Sequence, residues 1–192
     1  MIRIDVTASA DIRAVLGASG TGKSHYVKSI IKKEKRLLVW DLEDEYSDLT
    51  ALTLSQIPRA FYGKKLARYR FVHGRASGSR AEAFDKFCEL ALELGNLCLV
   101  VEELRFVTAA SRAPEPWAAI SLRGRKRNIR TIGTSQRPAQ IDKDFLGNCT
   151  LIHCGALEYP EDRKAVAPIL RVSVDEIAAL SGYKFIEYQR KA

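Results

Sequence analysis

No apolar run in these 192 residues approaches the roughly 20 that a membrane-spanning helix requires, which excludes an integral membrane protein of the helical kind. The segment Met1 to Ala10 carries Asp5 and lacks the apolar core of a signal peptide, so a soluble, cytosolic chain is expected. Cysteine is scarce. The four residues Cys88, Cys98, Cys149 and Cys154 lie inside apolar segments without the close paired spacing of zinc or redox motifs, and they read as buried reduced thiols. Internal repeats, low-complexity tracts and linkers are missing too, so residues 1–192 are expected to fold as a single domain. Acidic residues are the minority charge, 23 against 31 Lys and Arg, for a formal net charge of +8. That balance favours a polyanionic partner, although a merely basic soluble protein fits it as well. With 46% apolar and 28% charged residues the composition is ordinary globular and excludes a disordered chain.

What is present is an alternation of apolar runs and helical patterns, the mark of an α/β fold with a mostly parallel sheet and crossover helices. Asp11 to Leu16 reads as a first strand, Lys23 to Lys33 as a helix and Arg36 to Asp41 as a second strand. Leu66 to His73 alternates so that one face is charged, which predicts an edge strand. Ser79-x-x-Glu82 is a capping box, predicting a helix from there to about Leu94. Leu97 to Val101 (L-C-L-V-V) is short, wholly apolar and bounded by Gly95-Asn96 and Glu102-Glu103, as a central parallel strand is. A helix over Glu115 to Arg127 and strands over Ile129 to Ser135 and Leu151 to Gly155 follow. Pro160 and a second capping box, Ser173-x-x-Glu176, start two late helices before a C-terminal strand near Tyr183 to Tyr188.

Three elements carry chemistry. The first is G-A-S-G-T-G-K-S, comprising Gly17, Ala18, Ser19, Gly20, Thr21, Gly22, Lys23 and Ser24, which matches the phosphate-binding pattern G-x-x-x-x-G-K-[ST] between a strand and a helix. Glycines permit positive φ, so successive backbone N–H groups can turn inward around phosphate oxygens, and the helix N-terminus adds its dipole. Lys23 is expected to reach the β and γ phosphates of ATP, Ser24 to ligate Mg²⁺, and His25 to touch the nucleotide. The second element is the acid pair closing L-C-L-V-V, where P-loop enzymes place a metal-holding carboxylate and a water-polarising one. Glu102 is assigned to the metal and Glu103 to the attacking water. Two solvated acids opening a helix is the alternative, and because Glu replaces the usual Asp at the first position, the two roles can exchange. The third is Gln136, at the tip of the strand predicted to lie beside the loop strand, where its amide can bond both the water and a γ-phosphate oxygen. His73 and His153 sit at strand positions and read as structural.

Together with V-W-D-L-E-D-E-Y-S (Val39 to Ser47) and R-G-R-K-R-N-I-R-T-I-G-T-S-Q-R-P (Arg123 to Pro138), these elements resemble the FtsK/HerA superfamily of DNA-pumping ATPases. Its members often carry an Asp-x-x-x-Glu-Tyr turn after the second strand, matched by Asp41, Glu45 and Tyr46, and a basic helix end leading into a strand that closes on Thr-Gln-Arg-Pro. The match here is Thr134-Ser135-Gln136-Arg137-Pro138, with one inserted-looking serine. The resemblance spans about Asp11 to Arg163 and implies a three-layer RecA-like (ASCE) P-loop NTPase core. A bare core of this size is most similar to the genome-packaging ATPases of internal-membrane-containing double-stranded DNA viruses, namely tectivirus-like phages and archaeal icosahedral viruses. The likeness implies ATP and Mg²⁺ as ligands and double-stranded DNA as substrate. It also implies a homo-oligomeric ring, commonly a hexamer, with capsid-vertex, portal or viral membrane proteins as partners, acting in the host cytoplasm or at the virion vertex.

The run Arg123, Arg125, Lys126, Arg127 and Arg130 has three readings: a solvated helix end that suits the C-terminal dipole, a pore lining for DNA phosphates, or the source of an arginine finger. By resemblance, Arg125 is the finger, reaching the neighbouring subunit's γ-phosphate. Lys28, Lys32, Lys33, Lys35 and Arg36 read as an exposed helix face. A cellular translocase of the same superfamily, a small P-loop kinase and a scaffold that binds ATP without hydrolysing it are the competing functions. The paired acids with Gln136 speak for hydrolysis over phosphate transfer to a metabolite.

Overall fold

The apolar runs become the strands of one sheet, seen in a computed structural model that describes residues 10–75 and 78–190. Apart from Ala10, the N-terminal segment read above for a signal peptide lies outside the described residues. In chain order the elements are β1 (Ile12–Leu16), α1 (Lys23–Ile31), β2 (Arg36–Trp40), β3 (Thr50–Ala51), α2 (Ile57–Phe61), β4 (Ala67–Phe71), α3 (Arg80–Leu94) and β5 (Leu97–Val101). They continue with α4 (Glu115–Arg123), β6 (Ile129–Ser135), α5 (Lys143–Asn148), β7 (Leu151–Gly155), α6 (Pro160–Leu170), α7 (Val174–Ala178) and β8 (Phe185–Gln189). The spatial order is β3-β4-β2-β5-β6-β1-β7-β8, parallel throughout except for β8, which runs antiparallel to β7.

Because successive strand residues point to opposite faces, a strand buried on both sides must be apolar at every position. β5 is buried along its whole length. Its Leu97, Leu99 and Val101 join Leu38 and Trp40 of β2 and Ala14 and Leu16 of β1 in a large core with residues of α2 to α7. The intervening Cys98 and Val100 join Leu37, Val39, Val15 and Ile132 in a smaller core closed by Val27 and Ile31 of α1 and by Tyr46 and Leu49. This gives three layers, helix, sheet and helix, with β1 held between β6 and β7. Leu16, the last residue of β1, lies opposite Ser135 on one side and Cys154 on the other.

Several local expectations need correction. β4 is not the edge strand, because the two-residue β3 pairs outside it, Thr50 opposite Tyr69 and Ala51 opposite Arg70. Nor is its charged face solvated: Arg70 is buried and bonds the buried Asp41 carboxylate at 2.7 Å, with Asp44 as a second partner. Ser79 does stand at the N-cap of α3, but its side chain makes no capping bond. Helix α3 is held instead by burying Phe84, Phe87, Cys88, Leu90 and Ala91, since packing of an apolar face outweighs a single cap. The box at Ser173 and Glu176 forms as expected, with both reciprocal bonds present. The helix expected over Glu115 to Arg127 ends at Arg123, and Gly124–Arg127 tightens into a 3-10 turn that stops at Asn128 in left-handed conformation. All four cysteines are buried and free, and burial pushes each thiol pKa up.

Candidate functional site

The C-terminal ends of parallel strands are where an α/β sheet leaves a crevice, and the glycine-rich loop emerges there between β1 and α1. Its root is tied to both neighbouring strands: the Gly17 N–H donates to the Ser135 carbonyl at 3.2 Å and the Ala18 N–H to the Ala156 carbonyl at 2.7 Å. Gly20 and Gly22 take φ of 77° and 89°, a conformation that a side chain would strain. Within the loop, Thr21 Oγ1 and Lys23 Nζ both donate to the Ala18 carbonyl, at 2.8 and 2.9 Å. Burial lowers the Lys23 pKa, opposed by the charges of Glu103, Glu45 and Glu102.

The two acids leave β5 in different ways. Glu102 continues the ladder, its N–H donating to the Trp40 carbonyl at 3.1 Å. The residue is only 4% exposed, and its pKa is pushed up to about 8, first by burial and then by the charges of Glu45, Asp41 and Glu103, while Tyr46 holds it down. Glu103 breaks from the strand at φ 47° and ψ 62°, a left-handed conformation that costs a non-glycine residue on the order of 1–3 kcal/mol and clusters at functional sites. Thr134 of β6 fixes that geometry by accepting the Glu103 N–H on Oγ1 at 3.1 Å. The Glu103 carboxylate then accepts from the Gln136 N–H at 3.4 Å and faces Arg105 Nε at 3.5 Å.

Asp41 organises the turn matched to Asp-x-x-x-Glu-Tyr. Fully buried, its carboxylate accepts the N–H groups of Glu45 at 2.8 Å and Tyr46 at 3.0 Å while pairing with Arg70. The turn thereby sets Glu45 on the cavity wall and Tyr46 beside Glu102.

These groups line one cavity of about 820 Å³. Ser19, Gly20, Thr21, Gly22, Lys23, Ser24 and His25 contribute the loop side, and Glu102, Glu103, Thr134 and Gln136 the strand-end side. Gly17 and Ala18 form the root beneath. Arg125 is not among them. It lies in the turn before β6, at the opposite edge of the sheet, and the seven residues of that strand put it roughly 20 Å from Gln136 at ~3.3 Å each. Of its basic run, Arg127 donates to the Leu92 and Glu93 carbonyls and Arg130 pairs with Glu34 and Asp11. Arg123, Arg125 and Lys126 are exposed and have no such partner among the described residues.

Sequence reasoning missed part of the site. Arg105 carries no motif, and only the fold brings it back to Glu103. Tyr26, His153, Tyr183 and Phe185 also line the cavity, and His153 is buried there, stacked on Tyr26 and bonded to Glu187. Arg137, part of the Gln-Arg-Pro signature, donates to the buried Asp162 at 2.7 Å and stacks on Tyr159 at 3.8 Å, pinning α6 to the end of β6. Lys33, Lys35 and Arg36 do not form a helix face, because α1 stops at Ile31. With Lys64, Lys65 and Arg130 they surround a second concavity of about 630 Å³ at the N-terminal edge of the strands.

No family model matches the chain. It is 27% identical over 196 residues to Protein P9 of Pseudoalteromonas phage PM2, a match covering 98% of this chain and 89% of that relative. Among solved structures it is similar to the genome packaging NTPase B204 of Sulfolobus turreted icosahedral virus 2 in complex with AMPPCP, at a TM-score of 0.74 and 19% identity over 93% of this chain and 92% of that one. VirB4 of Thermoanaerobacter pseudethanolicus is similar at a TM-score of 0.62 and 14% identity, covering 94% of this chain and 89% of that one. These likenesses agree with the resemblance read from the motifs, and they establish that the chain has the α/β fold of the P-loop NTPases, shared along nearly its full length with B204.

Proposed function

We propose that this chain is a viral genome-packaging ATPase, which hydrolyses ATP to drive double-stranded DNA and works as a homo-oligomeric ring, commonly a hexamer, of single-domain subunits. The observation that carries the reading is the convergence of the loop, Glu102, Glu103 and Gln136 on one cavity of a fold shared with B204. The exposed cations Arg123 and Lys126 and the basic concavity beyond them offer a DNA phosphate backbone a surface remote from the nucleotide of their own chain. The ring acts in the host cytoplasm or at the virion vertex, against capsid, portal or viral membrane proteins. Among the described residues, no helix is long and apolar enough to cross a membrane.

In the reaction, the loop N–H groups and Lys23 cradle the phosphates, Lys23 exchanging its Ala18 carbonyl for phosphate oxygen. The residues present fit Mg²⁺, which prefers one or two protein oxygens plus phosphates: the Ser24 hydroxyl and the Glu102 carboxyl line the same cavity as the loop. Ser24 and Glu102 would supply those oxygens; burial first, and then the charges of Glu45, Asp41 and Glu103, raise the Glu102 pKa, and a divalent cation would offset those charges. When bound, the metal neutralises charge building on the transferring phosphoryl group. Glu103, fixed by its strained backbone and the Thr134 bond, orients water and takes up its proton, and Gln136 bonds the water and the γ-phosphate. Arg125 reaches the γ-phosphate of a neighbouring subunit. A second reading, a conjugation-type translocase, is favoured by the likeness to VirB4. ATP turnover measured with and without duplex DNA tests the function: stimulation by DNA is expected, and turnover indifferent to DNA would overturn the motor reading.

A further inference from the structure

The wall of the cavity beyond the phosphate loop is aromatic, and its rings are open. Tyr183 is 79% exposed and Phe185 53% exposed, although both line the same cavity as Lys23. Large rings in solvent need a reason, and these two stand at the entry to β8, the antiparallel strand added next to β7. Tyr183 lies directly against the loop: a Cβ placed on Gly22 would be 3.1 Å from Tyr183 Cδ1. Phe185 caps a column of rings, 4.2 Å from His153, which stacks on Tyr26 at 3.7 Å and 13°. Glu187 locks that column by accepting from the Tyr26 hydroxyl at 2.9 Å and meeting His153 Nδ1 at 3.2 Å. Phe185 is therefore a braced surface, and Tyr183 a free ring bordering the phosphate seat.

We propose that Tyr183 and Phe185 form the stacking seat for the purine ring of the nucleotide whose phosphates the Gly17–Ser24 loop holds. The proposal rests on the phosphate-loop reading of the same cavity. Flat rings bind the face of a base, so the seat gains affinity from overlap area, which a purine supplies more fully than a pyrimidine. A free nucleotide has one end that the loop recognises and another that water would otherwise cover. Here the open rings adjoin the loop at the place where the second end can lie.

The test is calorimetric titration of the full chain with Mg·ATP and with inorganic tripolyphosphate, which carries the charge without the base. Tyr183→Ala is expected to weaken ATP binding by about 5- to 160-fold, the range for losing one stacked base, while tripolyphosphate binding holds. Tyr183→Phe, which keeps the ring, is expected to restore ATP binding. If Tyr183→Ala binds ATP as the wild type does, the stacking seat is wrong and the phosphate loop stands. Equal loss of ATP and tripolyphosphate would mean that Tyr183 only shapes the loop through Gly22, and would overturn the seat as well. A wild-type chain that binds neither ligand would remove the phosphate-loop reading and the seat together.

Discussion

Replacing Glu102 with Gln in nucleotide-free protein, with EDTA present, should stabilise the fold progressively as pH rises. The carboxyl titrates near the ordinary glutamate value of about 4.5 when unfolded and is pushed up to about 8 in the folded chain. Between those values the native state holds a proton that the unfolded state has released, so wild-type stability falls as pH climbs. At ~1.4 kcal/mol per pKa unit, linkage gives a burden of about 1 kcal/mol at pH 5, about 3 at pH 7 and about 5 at pH 9. Gln keeps the volume and carries no such burden, so the stability difference between Glu102→Gln and wild type should widen by about 4 kcal/mol from pH 5 to pH 9. With an m-value of ~2 kcal/mol/M, that is a relative movement of about 2 M in urea midpoint, read by fluorescence or circular dichroism at each pH. Only the change with pH matters, since the constant part of the substitution cancels. Curves for the two proteins that stay parallel across this range would refute the claim that Glu102 is held in a dry, carboxylate-crowded position.

Lys23→Ala should abolish nucleotide binding, whereas Glu103→Gln should bind ATP and lose turnover; if Glu102→Gln alone blocks turnover in that comparison, the metal and water roles are exchanged. Duplex DNA should stimulate hydrolysis, with the stimulation fading as salt rises, because contacts to phosphates release counterions; a salt-indifferent response would remove the basic edge as the DNA surface. Arg125→Ala and Glu103→Gln proteins, each inactive, should recover ATPase activity when mixed under subunit exchange, since some interfaces then hold both an intact finger and an intact water-activating acid. No recovery in demonstrated mixed rings would take Arg125 out of the role.

The sequence made the sheet readable because parallel strands buried on both faces must be apolar throughout, and L-C-L-V-V from Leu97 to Val101 has no other easy home. The loop and the acid pair were readable for a related reason: their chemistry fixes residue type at fixed spacing. What escaped were relations between distant segments. Nothing local shows that Arg70 buries its charge on Asp41, 29 positions away, so β4 looked like a solvated edge. A local feature escaped as well: Arg105 faces Glu103 at 3.5 Å beside a left-handed turn at Glu103, which a non-glycine sequence position does not advertise. Tyr183 and Phe185 read as the start of a strand. Their placement beside the loop depends on β8 being added antiparallel beyond β7, and short-range patterning does not encode strand order.

Geometry also divides a basic run that is uniform in sequence. Arg127 caps the carbonyls at the end of α3 and Arg130 is committed to Asp11 and Glu34, which leaves Arg123, Arg125 and Lys126 exposed and without such partners among the described residues. Those three stand at the N-terminal edge of the strands, while the phosphate loop stands at the C-terminal edge, so none can serve the active site of its own chain. Arg137 and Arg163 are closer to that site, but the first is held by Asp162 and the second by the Leu157 and Glu158 carbonyls. A cyclic ring is built from heterologous contacts, in which one patch of a subunit meets a different patch of the next. Under the ring reading, Arg125 can therefore face a neighbour's carboxylate-lined cavity while the rest of the basic edge stays open to DNA. In such a ring Arg125 would add a second subunit's cation to a cavity that already holds Lys23, and hydrolysis would depend on assembly.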